Sequence, residues 1–184
     1  MAEPDIVIFV EEPSAFEIVS ALSRRLGLSS RVKILKHQGA GDLERSYAGK
    51  ISNDPFPNSK FLILRDADNK NCKALKKTLL EKVPREKRVR TRVRIICQEL
   101  EAWYLAQPEA LAAAGSLKRL IPKTKLSGNV DSISDPKRLF LRHAHEKGQI
   151  EHARRIGSLL DIESKKSVSF MHFVLGLRTL AELK

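Results

Sequence analysis

Cysteine is scarce: Cys72 and Cys97 are the only two in 184 residues. They form no Cys-x-x-Cys pair and no zinc-finger spacing. A disulfide framework and a Cys-based zinc cluster are therefore excluded, and both side chains read as small buried hydrophobes. The expected setting is reducing and cytoplasmic. Long apolar runs are missing as well. The run Ile6-Val-Ile-Phe-Val10 stops at Glu11-Glu12, far short of the roughly 20 residues a bilayer span needs. No basic segment precedes it, as a signal peptide would require. No membrane partner is expected. Aromatic residues make up only 5%, which leaves few platforms for base stacking. Acid is short relative to base, 22 Asp and Glu against 34 Lys and Arg, a net charge of +12. That excess favours polyanionic partners, nucleic acid first.

What is present is an ordinary globular composition, 42% hydrophobic and 30% charged, of about one domain's length. The runs Ile6–Val10 and Lys60-Phe-Leu-Ile-Leu-Arg65 are apolar without alternation, as strands buried on both faces of a parallel sheet are. Residues 31–36 alternate as a half-exposed strand should, and residues 88–96 read as a fourth strand. Helical spacing over 15–26, from Asp42 onward, over 71–82 and over 98–106 separates and follows them. The order βαβαβαβα predicts an α/β fold with a mainly parallel sheet flanked by helices. From Ser116 onward only helical patterns occur: Asp135-Pro136 as cap and first residue, then 149–160 and 167–183. The expected division is an α/β domain over residues 1–112 and an α-helical extension over 113–184 that packs on it.

Ligands of an open parallel sheet bind beyond the carboxyl ends of its strands. Three of the four expected strands end in acid there: Glu11 and Glu12, Asp66 and Asp68, Glu99 and Glu101. Crowded carboxylates repel unless a cation neutralises them, and oxygen-only donors suit Mg²⁺ or Mn²⁺. On an extended strand end Asp66 and Asp68 would point the same way and share one ion; the alternative is that they cap a helix. Of the later pair, Glu99 reads as the further ligand and Glu101 as structural. A second feature is Lys87-Arg-Val-Arg-Thr-Arg-Val-Arg94. As a strand it would place Arg88, Arg90, Arg92 and Arg94 on one face, either a nucleic-acid-binding stripe that tracks phosphates or a charged edge guarded against aggregation. Neither His143-x-His145 nor Gly39-Ala-Gly41 has the spacing of a metal or phosphate site.

The Val10-Glu-Glu-Pro-Ser14 turn, Asp66-Ala-Asp68 with Cys72 after it, and Glu99-Leu-Glu-Ala-Trp103 occur in this order, joined by the glycine loop after His37 and by Ser167-Val-Ser-Phe170. Together they resemble the bacterial family called domain of unknown function 4276, whose α/β domain is Toprim-like, that is, related to topoisomerases and primases. The resemblance implies a Toprim-like, Rossmannoid sheet. It also implies metal-dependent phosphodiester chemistry on nucleic acid, with Glu11 in the acid–base role and Asp66 and Asp68 as ligands of Mg²⁺. Toprim motifs follow the glutamate with Gly, where this chain has Glu12, and related nucleases place an acid four residues on, where it has Ala15. Glu12 is the available substitute ligand. Resemblance to nuclease–ATPase systems implies an ATPase partner, since this chain has no nucleotide motif. The expectation is a Mg²⁺-dependent nuclease; the rival is a non-catalytic module that binds nucleic acid or protein.

Overall fold

In the computed structural model, which describes residues 4–182, four strands form one all-parallel sheet in the order β2-β1-β3-β4. These are β1 (Ile6–Val10), β2 (Val32–Lys36), β3 (Lys60–Asp66) and β4 (Thr91–Ile96). Helix α1 (Pro13–Arg25) follows β1, α2 (Ala40–Ser52) follows β2 and α3 (Cys72–Glu81) follows β3. Beyond β4 the chain is helical: α4 (Glu101–Leu105), α5 (Pro108–Ala113), α6 (Lys123–Leu126), α7 (Pro136–His143), α8 (Gln149–Gly157) and α9 (Val168–Ala181). The fold is therefore α/β, as expected. No described helix is long and apolar enough to cross a membrane.

The apolar runs of β1 and β3 are buried throughout because both sheet faces are covered. One face carries Val7, Phe9, Phe61, Ile63 and Val93 against Leu43, Tyr47 and Ile51 of α2 and Leu75 and Leu79 of α3. The other carries Ile6, Ile8, Val10, Leu62, Leu64 and Ile96 against α1, α4, α7, α8 and α9. The C-terminal helices thus bury their stripes on the sheet itself. Close helix contact demands a small residue at Gly157 of α8, where a Cβ would meet Ala21 Cβ at 3.1 Å and Ile18 Cα at 3.3 Å.

A buried polar knot holds α9 in place. Ser167 caps the helix by accepting from the Phe170 amide, while Asp131 accepts from the Ser167 hydroxyl at 2.7 Å, the Ser169 amide at 2.9 Å and the Ser169 hydroxyl at 3.0 Å. Trp103 of α4, fully buried against Phe170 and Phe173, donates its indole N–H to the Ser169 oxygen at 2.9 Å. The Ser-x-Ser-Phe and Glu-Ala-Trp motifs meet here as structure. Removing the carboxylate strands three donors in a dry site. Asp131→Ala is therefore expected to lower unfolding free energy by about 2–4 kcal/mol in urea titration.

The fourth strand is shorter than its alternation predicts. Pro84 is followed by a 3-10 turn over Arg85–Arg90, and the strand starts at Thr91. Arg88 and Arg90 consequently do not continue the face of Arg92 and Arg94, and the four-arginine stripe does not form. Arg88 turns back to donate to the carbonyls of Val83 (2.8 Å) and Glu81 (2.5 Å) at the end of α3. Arg92 donates to Val89 and Thr91 carbonyls. Arg94 lies under α9, donating to the His172 carbonyl at 2.7 Å, in space that a Cβ on Gly176 would invade. The Arg88 and Arg92 guanidinium groups thus serve backbone carbonyls at the end of α3 and at the start of β4.

Candidate functional site

Parallel pairing aligns the strand ends. Val10 pairs with Lys36 on one side and Leu64 on the other, so one residue further on Glu11 comes level with Arg65. Beside them β3 runs on until Asp66 pairs with Ile96. Arg65 is the residue that sequence reasoning missed. It has the face parity of Phe61 and Ile63, which turns it toward α2, and it is 1% exposed. Its guanidinium donates to Glu11 Oε2 and Asp68 Oδ2, both at 2.8 Å, to Glu44 Oε1 of α2 at 3.3 Å, and to the Asp66 carbonyl. The signal was present as a lone base inside an otherwise apolar buried strand, since a buried cation requires anionic partners.

Asp66 has the opposite parity. It points toward the α4 side, where its carboxylate accepts the Leu100 amide at 3.3 Å. Asp66 and Asp68 therefore do not share a direction: the strand ends at Asp66, and Asp68 and Asn69 take left-handed backbone, φ 47° and 62°. The turn is pinned from the β4 side, with the Asp68 amide bonded to the Gln98 carbonyl and the Asn69 amide to Gln98 Oε1. Glu11 also accepts the Asp66 amide at 3.3 Å. Glu12, one residue on, takes the Ser14 hydroxyl at the start of α1.

The roles within Glu99-x-Glu101 fall differently from the sequence reading. Glu99 accepts the Lys137 amide at 3.1 Å, one of the free N–H groups of α7. Glu101 is buried, 3% exposed, and burial pushes its carboxyl up to about 7, with Lys137 working against the rise. Burial, reinforced by Glu11, Glu12, Glu101 and Asp68, holds the Asp66 carboxyl well above its ordinary value. Burial also raises Glu11, while Arg65 and the Asp66 amide pull it back.

An open cleft of about 560 Å³ reaches one of these acids, Glu12, and is lined also by Pro13, Ser14, Leu141, Lys147 and Gln149. A larger concavity of about 690 Å³, lined by Val7, Phe9, Leu35 and Phe61, lies beside β2 on the α2 face and holds none of the strand-end acids. Among the described residues no three His, Cys, Asp or Glu side chains converge closely enough to hold a metal ion by themselves. The donor set nevertheless fits Mg²⁺ or Mn²⁺, which take one or two carboxylates and complete their shell with water and substrate phosphate.

Neither the curated proteins nor the solved structures contain a match to this chain. The family model described as Domain of unknown function (DUF4276) matches residues 8–178, so the chain belongs to that family.

Proposed function

We propose that this protein is a Toprim-like, Mg²⁺- or Mn²⁺-dependent phosphodiester-cleaving enzyme that acts on nucleic acid. One observation carries the reading. Asp66 sits half-buried at the carboxyl end of the sheet beside Glu11, Glu12 and Glu101, and among the described residues it has no ion-pair partner. An ionised carboxylate in such a place is costly unless a cation joins it. Asp66 would hold the cation, with Glu12 as a further oxygen donor and water and substrate phosphate completing the shell, while Asp68 stays paired with Arg65 on the α2 side. When bound, the metal would stabilise negative charge on the phosphodiester oxygens. Glu11, raised by burial, is suited to take a proton from water or return one to the leaving oxygen. Arg65 fixes the orientation of Glu11 from below. The net charge of +12 attracts the polyanion, and Lys147 lies on the wall of the adjoining cleft.

The test is Mn²⁺ calorimetry followed by cleavage assays on single- and double-stranded oligonucleotides. Asp66→Asn keeps an acceptor for the Leu100 amide and so keeps the fold. Its expected effect is a loss of Mn²⁺ affinity of about 10–100-fold and of cleavage altogether. Full cleavage by the variant would sink the proposal. A second reading has an observation of its own: Arg65 already neutralises Glu11 and Asp68, as befits a scaffold that binds nucleic acid or an ATPase without catalysis. Wild-type protein that binds oligonucleotide but not Mn²⁺, with or without that oligonucleotide, would favour it.

A further inference from the structure

Cys72 and Cys97 stand 25 positions apart on different elements, yet their sulfur atoms lie 3.8 Å from each other. Cys72 opens α3, directly after the turn that carries Asp68, and Cys97 follows β4, directly before the Gln98 that pins that turn. Both thiols are free and half-buried. They share a cleft of about 160 Å³ whose other walls include Lys73, Lys76, Arg94 and His172. We propose that this pair is an oxidation site: a peroxide converts it into an intramolecular disulfide that clamps the Asp66–Asn71 turn to the end of β4.

The chemistry closes on itself. The Cys72 thiolate attacks one peroxide oxygen, the O–O bond breaks and hydroxide leaves, giving a sulfenic acid. The Cys97 thiol then gives up its proton and attacks the Cys72 sulfur, the S–O bond breaks, and the second oxygen leaves as water. Two electrons pass from the sulfurs to the peroxide, and two waters form. Cys72 is the first attacker by position. It is the first residue of a ten-residue helix, and the lysines and arginine that line the shared cleft attract anions. Bond formation requires the sulfurs to close by about 1.8 Å, from contact to a bond of about 2.05 Å.

The consequence is local. The Ala67, Asp68 and Asn69 amides already donate to Ile96 and Gln98. A covalent link from Cys72, three residues past Asn69, to Cys97, which lies between those two acceptor residues, restrains the turn beyond what these bonds do alone. The inference does not depend on metal binding at the acids.

The native protein is treated with hydrogen peroxide in slight molar excess, blocked with an alkylating reagent and weighed intact. The expected product has lost the mass of two hydrogens, resists alkylation at both thiols, yields a Cys72–Cys97 linked peptide, stays a single chain on a non-reducing gel and reverts with dithiothreitol. In guanidinium the cross-link should form at least about ten-fold more slowly, because the native fold supplies the juxtaposition. Cys97→Ser should stop at oxygen addition on Cys72. Hydrogen exchange at residues 67–71 should slow by about ten-fold in the oxidised protein. Oxygen addition without a link, a link between chains, or equal rates folded and unfolded would overturn the site. A link formed without slower exchange would overturn the clamp.

Discussion

Glu101→Gln is expected to make the protein more stable at pH 8 by about 2–3 kcal/mol and to leave it unchanged near pH 4. The sign follows from where the carboxyl titrates. In the unfolded chain it ionises around 4.5, in the fold at about 7. Below the first value both states hold the proton and the group contributes nothing. Between the two values the folded state binds more protons than the unfolded one, so stability falls as pH rises. Above about pH 7 the loss is complete and amounts to about 3 kcal/mol, at about 1.4 kcal/mol for each pKa unit. Glutamine keeps the volume but never ionises. Burial is the leading cause of the rise, and Glu12 and Glu99 add to it. Urea titrations of both proteins at pH 4, 6 and 8 would show the gap opening with pH. A gap that is constant across the range would mean that Glu101 is not the group responsible.

The same burial explains what could be read in advance and what could not. The strand ends were legible because β1 and β3 are apolar on both faces, and a parallel sheet gathers its carboxyl ends at one edge. Glu11 and Asp66 meet there for that reason. Asp68 was legible as a neighbour but not in its direction, because the extended backbone ends at Asp66 and the next turn runs through positive φ. The Arg-Val alternation before Thr91 imitates a strand, yet after Pro84 the chain takes a 3-10 turn over Arg85–Arg90, in which Arg88 donates to carbonyls at the end of α3. Glu99 and Glu101 look alike in sequence. Only the arrival of α7 at Glu99, and the packing of α4 that buries Glu101, separates their roles. Such contacts span dozens of residues, and no local pattern encodes them.

Arg65→Met is expected to cost about 3–5 kcal/mol at pH 8, the largest loss of any substitution in the acidic group. Three carboxylates face this one guanidinium, and it is almost fully shielded from water. Methionine fills much of the space but leaves Glu11, Glu44 and Asp68 with no central cation. Glu11, which burial already raises, then loses the cation that pulls it back, so the cost should shrink toward pH 4 as it takes up a proton. Arg65→Lys keeps the charge but loses the fork that reaches three acids at once, and about 1–2 kcal/mol is the expected loss. Divalent metal connects this result to the proposed function. If the strand-end acids bind Mn²⁺, millimolar Mn²⁺ should raise the melting temperature of Arg65→Met by more degrees than that of the wild type, because the variant has more uncompensated charge to neutralise. The measurement is thermal unfolding at pH 8 with Mn²⁺ and with a chelator. A destabilised variant that Mn²⁺ does not help would leave Arg65 as the only cation the acids accept, which is the behaviour of a scaffold. A variant as stable as wild type would mean that the buried guanidinium contributes no net stability, and the ion-pair account of this site would fall with it.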